Sequence, residues 1–464
     1  MTYGQSSQAS PENALPGHFI EMLGHYPLFD GLPDVLMNTA PDVSVRVNPG
    51  KDVSVDAEML RVPWCADGFY LPQRLPFTFD PALHQGLYYV QDASSMAISH
   101  IAKTLSADGR PLRWLDICAA PGGKTTAAIS ALPEGSVVIA NEYDPRRAAA
   151  LAENLERWGY GRTAVTVGDT KAYRRLEGFF DVVAVDAPCS GEGMMRKEPQ
   201  AVHQWTPALV QQCAALQQQI ADNAWQALRP GGYMIYSTCT FNVQENERNV
   251  ARMIERYDAR SIDPGLSAFP GVAGAVEGTA CCARFIPGRV RGEGLFVAVL
   301  QKPGDAAVQP CRRSFAKTSV APAKWLSDNY IYAEISGSLH AVPEDAAAVL
   351  ATVAKHTKCI SLGIEAGVIK GRDILPSYAL AHAVDLNADA FHQAEVDYHT
   401  AIAYLRGEPV VLPDSPRGII LLTFRGRPLA FAKNIGNRAN NLVPASRRII
   451  SPHIPDDEPI VLSV

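Results

Sequence analysis

Apolar and polar positions in the middle of the chain follow two alternating patterns, one typical of buried strands and the other of amphipathic helices. The apolar runs that predict strands lie at residues 114–118, 136–142, 163–169, 181–186 and 233–237. Helical spacing is found between them, at residues 124–129, 146–158 and 206–228. Because strands and helices alternate from residue 113 to about residue 302, we expect an α/β fold with an open parallel sheet. Two later strands, near 283–287 and 295–300, are expected to complete the sheet.

The stretch Arg113–Thr126 joins the first predicted strand to a helix through a turn of small residues, in the sequence RWLDICAAPGGKTT. This arrangement places backbone N–H groups and the positive end of a helix at one point, where open parallel sheets bind nucleotide-like ligands. A Walker phosphate loop is an alternative, but it requires glycine at position 118, which is Cys. A turn without a ligand is the other alternative, and the residues at the following strand ends argue against it.

Polar or reactive side chains follow the other predicted strands of the sheet. They are Glu142, Asp169, Asp186 with Cys189, and Cys239. Because the carboxyl ends of parallel strands meet at one edge of a sheet, we expect these side chains to lie on the ligand-binding edge. An acid that ends the second strand, as Glu142 does, can accept hydrogen bonds from ribose hydroxyls. Two cysteines that follow strands among turn residues indicate chemistry rather than packing.

Composition limits the number of domains, the cellular location and the metal sites that we expect. The chain has 464 residues, of which 47% are hydrophobic and 19% charged, so we expect a globular protein of several domains. No apolar stretch approaches the ~18 residues of a membrane span, and the first residues lack a signal-peptide pattern, which favours a cytoplasmic protein. The nine cysteines form no CxxC pair, so we expect free thiols and no metal site.

Charge is unevenly distributed along the chain. The net charge of −6 disfavours a nucleic-acid partner when taken as an average. Between Arg417 and Ile450, however, seven residues are basic and none is acidic. These basic residues are Arg417, Arg425, Arg427, Lys433, Arg438, Arg447 and Arg448. This segment supplies the positive surface that the net charge lacks. A solvated face is the alternative explanation.

Changes in pattern divide the chain into five predicted segments. A small α/β domain spans residues 1–80, and the strand–helix alternation places the catalytic domain at 81–303. A polar linker follows at 304–322. A mixed helix and strand domain is predicted at 323–395, and a strand-rich domain at 396–464.

The motifs of the catalytic segment resemble those of the RNA 5-methylcytosine methyltransferases of the Nol1/Nop2/Sun family. The resemblance is carried by CAAPGGKTT, NEYDPRR, VGDT, DAPCSGEG and YSTCTFNVQENE. Its bacterial small-subunit ribosomal RNA methyltransferase F subgroup is similar also in KGR at 370–372 and GNRANNLVP at 436–444. The resemblance implies a Rossmann-like methyltransferase core that uses S-adenosylmethionine, an N-terminal RNA-binding α/β domain, and C-terminal α+β and PUA-like RNA-binding domains.

The resemblance also implies a mechanism. Carbon 5 of cytosine is a poor nucleophile, and addition of a thiolate at carbon 6 lets it accept a methyl group. In this family the Thr-Cys cysteine is the nucleophile, which maps to Cys239. The Pro-Cys cysteine, here Cys189, assists proton removal or product release. Asp186 is expected to hydrogen-bond the cytosine ring edge, with contact to the cofactor as a second role.

The same resemblance assigns the cofactor site. The methionine part is expected on the turn and helix start, Glu142 on the ribose and Asp169 on the adenine, and Asp186 is included in the site. The turn and helix start consist of Cys118, Ala119, Ala120, Pro121, Gly122, Gly123 and Lys124. Asp144 competes with Glu142 for the ribose, and we interpret Asp144 as a helix cap instead. Lys124 is given a structural or electrostatic role.

The implied partner is RNA, and the subgroup favours 16S ribosomal RNA or the small ribosomal subunit. The target base must leave any stack to reach Cys239, so single-stranded or remodelled RNA is expected. Transfer RNA is an alternative substrate for the same reaction. A non-catalytic RNA-binding assembly factor is an alternative from another class, and the joint presence of Asp186, Cys189 and Cys239 argues against it. A monomer without membrane contact is expected.

Overall fold

The computed structural model describes residues 14–306, 309–311, 313–316, 318, 324–327, 329–335, 337–371, 373–451, 454–455 and 457–462. Within these residues, one nine-stranded sheet carries the strands of the predicted catalytic domain, and three four-stranded sheets surround it. The predicted linker, 304–322, lies partly outside the described residues.

The N-terminal part forms a small antiparallel sheet of the order β2-β3-β1-β4. Its helices are α1 (Gly17–Gly24), α2 (Leu32–Asn38) and α3 (Pro81–His84), and its strands are β1 (Val43–Val47), β2 (Arg61–Val62), β3 (Cys65–Leu71) and β4 (Tyr88–Val90). Strand β4 lies beyond residue 80, the predicted domain boundary, and pairs with β1 through Val45 and Val90. The chain leaves this sheet at Val90 and reaches the first strand of the central sheet at Arg113, through the helix Ala97–Leu105.

The central sheet has the alternating strands and helices that the apolar pattern predicts. Its helices are α4 (Ala97–Leu105), α5 (Gly123–Ala131), α6 (Pro145–Trp158), α7 (Pro199–Gln204), α8 (Pro207–Ala227) and α9 (Glu247–Tyr257). Its strands are β5 (Arg113–Asp116), β6 (Val137–Glu142), β7 (Thr163–Val167), β8 (Phe180–Asp186), β9 (Leu228–Thr238), β10 (Arg260–Ile262), β11 (Cys282–Phe285) and β12 (Leu295–Gln301). Strands β9, β8, β5, β6 and β7 are adjacent and parallel, and β12 continues the sheet antiparallel to β9.

Both faces of this sheet are covered, which explains why its strands are apolar throughout rather than alternating. Trp114 packs among residues of α4, α5 and α6, whereas its neighbour Leu115 packs among residues of α8 and α9. Successive side chains of a strand point to opposite faces, so the two residues lie in different cores. The predicted α/β class is therefore confirmed, and the carboxyl ends of five parallel strands lie at one edge.

Capping residues in the local sequence determine where α6 begins and ends, beside that edge. Asp144 accepts hydrogen bonds from the backbone N–H groups of Arg146 and Arg147 at 2.8 and 2.9 Å. Pro145 occupies the first turn, where its missing N–H costs no hydrogen bond. Gly159 ends the helix at φ 88°, in the left-handed region that favours glycine. Asp144 is thus a helix cap, as the sequence predicts.

The C-terminal part forms two further sheets, and one of its strands joins the central sheet. Its helices are α10 (Ala347–His356), α11 (Tyr378–Ala381) and α12 (Tyr398–Leu405). Its strands are β13 (Tyr330–Ile335), β14 (Ser338–Pro343), β15 (Cys359–Leu362), β16 (Ile364–Lys370), β17 (Asp373–Pro376), β18 (His392–Glu395), β19 (Gly418–Phe424), β20 (Arg427–Asn434) and β21 (Ala439–Asn441). The two sheets have the orders β13-β14-β16-β17 and β18-β19-β20-β21.

Strand β15 pairs antiparallel with β7, at the outer side of the central sheet. In this register Cys359 lies opposite Thr166, and Leu362 lies opposite Ala164. The strand covers an edge of β7 whose backbone N–H and C=O groups would otherwise be unpaired. The predicted domain 323–395 therefore contributes directly to the catalytic sheet.

Some basic residues of the C-terminal part contact other parts of the chain, and others are exposed. Arg447 forms ion pairs with Glu153 and Glu156 of α6. Arg427 donates to the backbone oxygens of Lys51 and Asp52 in the N-terminal part. The guanidinium groups of Arg427 and Arg447 therefore hold different parts of the chain together. Arg417, Lys433 and Arg438 are exposed, and none of the three forms an ion pair with another residue that the structure describes.

All nine cysteines are free thiols in the structure. No cluster of three or more metal-ligating side chains occurs among the described residues. Within the same part of the chain, no helix combines the length and the apolar character that crossing a membrane requires.

We expect Arg284→Met to destabilise the protein by about 3–5 kcal/mol, because it leaves the buried Glu247 carboxylate without its partner. The Arg284 guanidinium donates to Glu247 from two nitrogens, and both side chains are buried. Arg248→Met is the matched control, since Arg248 pairs with Glu277 at the surface and such pairs contribute about 0–1 kcal/mol. Urea unfolding followed by tryptophan fluorescence measures both, and equal losses would contradict this account.

Candidate active site

The turn between β5 and α5 is shaped by glycine. Gly122 has φ 107°, and a Cβ atom there would lie 3.0 Å from a methyl carbon of Leu151. The Gly122 carbonyl accepts the backbone N–H of Thr126 at 2.8 Å, which begins the helical hydrogen bonds of α5. The first N–H groups of α5 therefore face away from the helix, toward the edge of the sheet.

A cavity of about 200 Å³ lies against this turn. One wall comes from the N-terminal part and includes Tyr89, Gln91 and Asp92. The opposite wall contains seven of the predicted cofactor residues, which are Cys118, Ala119, Ala120, Pro121, Gly123, Lys124 and Asp186. The remaining predicted residues, Gly122, Glu142 and Asp169, lie outside the cavity wall.

Glu142 and Asp169 lie at adjacent strand ends of the same edge. Glu142 is the last residue of β6 and is buried, and its side chain accepts the backbone N–H of Asp144 at 3.1 Å. Asp169 follows β7, is half-exposed, and accepts the backbone N–H of Lys171 at 2.8 Å. A hydrogen bond of 3.0 Å from Gly168 N to Glu142 O joins the two strand ends. Both carboxylates retain oxygen lone pairs for further hydrogen bonds.

Asp186, at the end of β8, is held by two donors. Lys124 Nζ donates to Oδ2 at 2.8 Å, and Ser237 Oγ donates to Oδ1 at 2.9 Å. Burial lowers the pKa of Lys124, but the Asp186 carboxylate and its hydrogen bond outweigh burial, so the pKa is raised overall. The Lys124 ammonium group therefore links the Asp186 side chain at the end of β8 to the start of α5. The structural or electrostatic role of Lys124 stays a prediction, to which this contact with Asp186 adds a partner.

The two strand-end cysteines are in contact. Cys189 Sγ and Cys239 Sγ are 3.0 Å apart, within hydrogen-bonding distance for sulfur. The contact with Cys239, followed by burial, raises the pKa of the Cys189 thiol well above its usual value. Either sulfur can be the donor in this contact.

Glu192 holds the loop that follows β8 against the loop that follows β9. Its carboxylate is fully buried and accepts the backbone N–H groups of Phe241 and Asn242 at 2.7 and 2.9 Å. It also accepts Trp205 Nε1 at 2.9 Å. Gly193 N donates to Cys239 O at 2.8 Å, and a Cβ atom on Gly193 would lie 2.8 Å from that oxygen, so only glycine allows this approach.

Glu245 provides a second buried carboxylate between the same loops. It accepts Ser190 N at 3.0 Å, next to Cys189, and Gln217 Nε2 at 2.7 Å from α8. Burial raises its pKa, although hydrogen bonds from Ser190 and Asn242 oppose the effect. The Asn242 side-chain amide donates to Glu245 at 2.7 Å and to Glu192 at 2.9 Å, and so joins the two carboxylates.

The side chains of Asp186, Cys189 and Cys239 were predicted from the sequence to share one edge of the sheet. No role was predicted for Glu192, Asn242 or Glu245. All three stand within the motifs DAPCSGEG and YSTCTFNVQENE. The available signal was the presence of acids beside cysteines in segments that follow buried strands. Which loop each carboxylate contacts depends on how β8 and β9 lie side by side, and this is a tertiary feature.

Known protein families match three stretches of this chain. Residues 105–301 match the 16S rRNA methyltransferase RsmB/F family. Residues 15–93 match the N-terminal domain of 16S rRNA methyltransferase RsmF, and residues 391–449 match the methyltransferase RsmF PUA domain. The matches agree with the expected core and with N-terminal and PUA-like parts on either side of it.

Individual relatives agree with these matches. The ribosomal RNA small subunit methyltransferase F of Erwinia tasmaniensis is 31% identical over 436 residues, 86% of this chain and 89% of that protein. The protein of the same name from Serratia proteamaculans is 33% identical over 408 residues, 82% and 83% of the two chains. A crystal structure of a methyltransferase homologue from Pyrococcus horikoshii is similar with a TM-score of 0.51 and 25% identity, over 63% of this chain and 100% of that one. The chain belongs to the ribosomal RNA small subunit methyltransferase F family.

Proposed function

We propose that this protein methylates carbon 5 of cytosine in small-subunit ribosomal RNA through a covalent cysteine adduct at carbon 6. The observation that supports this most is the 3.0 Å contact between the sulfurs of Cys189 and Cys239, beside Asp186. A methyl transfer that needs only a cofactor and a base would not require two adjacent thiols. Methylation of a poorly nucleophilic ring carbon does require one thiol, which adds to the ring, together with a group that assists release of that thiol. The names of the relatives point to ribosomal RNA of the small subunit.

S-adenosylmethionine is the cofactor of this methyltransferase family, and the residues at the edge of the sheet fit it. The small residues of the turn leave a cavity beside the start of α5, and Glu142 and Asp169 present acceptors at the next strand ends. We assign the methionyl part to Cys118–Lys124 and Asp186, the ribose to Glu142 and the adenine to Asp169. When bound, the cofactor supplies the methyl group.

The protein's own residues then carry the covalent steps. The Cys239 thiolate forms a bond to carbon 6 of cytosine, and carbon 5 becomes enamine-like and accepts the methyl group. Asp186, held by Lys124 and Ser237, is placed to hydrogen-bond the ring edge and stabilise the adduct. Cys189 or a water molecule then accepts the carbon 5 proton, the electron pair of that C–H bond restores the double bond between carbons 5 and 6, and the bond to the Cys239 sulfur breaks. Because Cys189 Sγ lies 3.0 Å from Cys239 Sγ, it is close enough to assist this proton removal or the release of the sulfur.

We expect Cys239→Ala to form no covalent complex with RNA, and Cys189→Ala to form one that persists, because release of the Cys239 sulfur is impaired. Incubation with S-adenosylmethionine and 16S ribosomal RNA, followed by a denaturing gel, measures the adduct. Cys213→Ala is the matched control, since Cys213 lies in α8 and takes no part in the proposed chemistry. It should behave as wild type.

The reverse result, a persistent adduct with Cys239→Ala only, would mean that the two cysteines have exchanged roles. Turnover by both variants, with no adduct in either, would overturn the covalent mechanism.

We expect Glu192→Ala to destabilise the protein by at least about 3 kcal/mol and to lower adduct formation. The change leaves three buried donors unpaired, namely the N–H groups of Phe241, Asn242 and the Trp205 ring, and each costs about 1–3 kcal/mol. Glu198→Ala is the control, because Glu198 is exposed at the start of α7. Urea unfolding and the gel assay measure both effects, and an adduct yield equal to wild type would contradict the positioning role.

Bisulfite sequencing of RNA from cells with and without the protein tests the substrate. We expect one or more cytosines of 16S ribosomal RNA to lose protection when the protein is absent. A change confined to transfer RNA would replace the substrate while keeping the reaction. No change in either RNA would favour a non-catalytic assembly role.

A further inference from the structure

Four basic side chains from three separate segments lie close together at the outer side of the central sheet. They are Arg175, Arg313, Lys355 and Lys358, which we call the outer basic surface. All four are exposed, and none forms an ion pair with another residue that the structure describes. The candidate active site and the basic segment of the C-terminal part include none of them.

The first of these segments is the short 3₁₀ helix Thr170–Leu176, which follows β7 and carries Arg175. Its Leu176 is buried in the same apolar core as Val353 of α10. Helix α10 packs directly against this 3₁₀ helix. Lys355 follows Val353 in the last turn of α10. Arg175 and Lys355 are therefore carried by two elements that are in contact.

The other two cations lie beside the same core. Phe315 packs against that core, and Arg313 shortly precedes Phe315 in the chain. Lys358 lies just beyond α10, where its backbone oxygen accepts the N–H of Val167 at 2.9 Å. Val167 is the last residue of β7, so Lys358 lies at the carboxyl end of this strand. The outer basic surface therefore borders the edge of the sheet that carries the reactive residues.

The imidazole of His356 shows the electrostatic character of this surface. Burial, followed by the charges of Lys355, Arg313 and Arg175, lowers the pKa of this ring. The charged groups that act on it are thus all basic, and they come from all three segments. Side chains of like charge repel one another, and a polyanion bound across them would remove that repulsion.

Helix dipoles explain part of this pattern. Lys355 and Arg175 each lie in the last turn of a helix, where a positive charge interacts favourably with the dipole. The effect falls off within that turn, so it does not account for Arg313 or Lys358. A role beyond helix stability is therefore needed to explain why the four cations share one surface.

The position of the surface favours RNA as the polyanion. Strand β15 is five strands away from β9, which leads to Cys239. Because adjacent strands are ~4.8 Å apart, Lys358 lies roughly 24 Å from Cys239 along the edge of the sheet. A stacked nucleic-acid strand advances ~3.4 Å per nucleotide, so this distance corresponds to about seven nucleotides. An RNA whose target base lies at Cys239 can therefore place a flanking phosphate on the surface.

We propose that the outer basic surface binds the phosphate backbone of the RNA substrate several nucleotides away from the target cytosine. The contact is independent of base sequence, because phosphate contacts position a nucleic acid without reading its base edges. It gives the end of α10 and the start of β15 a part in substrate binding. The proposal rests on the proposed function and extends it from the reacting base to the flanking RNA.

The salt dependence of RNA binding tests the proposal. Each phosphate contact releases counterions, so the loss of one contact lowers the slope of log Kd against log salt concentration by ~0.7–0.9. We expect the double variant Arg175→Gln/Lys355→Gln to lower this slope by about 1.5 for a fragment of 16S ribosomal RNA. Fluorescence anisotropy over a series of salt concentrations measures the slope. The affinity for S-adenosylhomocysteine should be unchanged, because neither residue lines the cavity beside the turn.

A second double variant is matched to the first in charge and exposure. Lys103→Gln/Arg260→Gln removes an exposed lysine from α4 and an exposed arginine from β10, at the opposite end of the central sheet. Lys103 lies in the last turn of its helix, as Lys355 does, so the loss of a favourable dipole interaction is common to both variants. We expect this control to keep the salt slope of wild type. Urea unfolding of both variants checks that the fold is retained.

The length of the RNA and the kinetics of methylation separate a flanking contact from one at the reacting base. We expect Arg175→Gln/Lys355→Gln to raise KM for the long fragment and to keep kcat, because the lost binding is equal in the ground state and the transition state. A short fragment, limited to the nucleotides next to the target cytosine, should bind equally well to the variant and to wild type, since it cannot reach the surface.

Three results would overturn the proposal. They are a salt slope of the variant equal to that of wild type, an equal decrease in the control variant, and a loss of binding to anionic phospholipid vesicles with RNA binding unchanged. The last result would assign the surface to a membrane instead. A wild-type protein that neither binds nor methylates RNA would overturn the proposed function itself.

Discussion

Two buried carboxylates, Glu192 and Glu245, hold the loops after β8 and β9 together, and the reactive end of the molecule depends on this contact. Each accepts backbone N–H groups from a loop that carries a cysteine, and the Asn242 amide joins them. Charged groups remain buried only when hydrogen bonds replace the water that they lose. The network therefore does more than stabilise the fold, because it sets the distance at which the two thiols meet.

The other side of the site depends on the N-terminal part of the chain. Arg46 passes from β1 into the space between α5 and α6 and contacts Gln91 and Thr126. The cavity wall opposite the turn thus belongs to a different sheet from the one that carries the reactive residues. A part of the molecule that the sequence analysis expects to bind RNA also closes the cavity beside the cofactor turn.

The C-terminal part is also joined to the core, by a shared strand and by ion pairs. Strand β15 extends the central sheet beside β7, and Arg447 reaches α6. Arg427 reaches the N-terminal part, so some basic residues of the tail serve the protein's own architecture. The basic residues that stay exposed leave a smaller surface for RNA phosphates than the charge pattern alone indicates.

The sequence by itself determined the strand–helix order of the core, the turn at Gly122, the cap at Asp144 and the motifs that carry Asp186, Cys189 and Cys239. These are local features, since apolar periodicity, glycine conformation and capping act over a few neighbouring residues. The parallel-sheet rule then predicted that the strand ends meet at one edge. Only the tertiary structure decided that β15 pairs with β7, that Arg427 and Arg447 contact distant parts of the chain, and which partners Glu192, Glu245 and Gln91 have. Those contacts join residues far apart in the chain, and no local pattern encodes which distant group will face a buried polar atom.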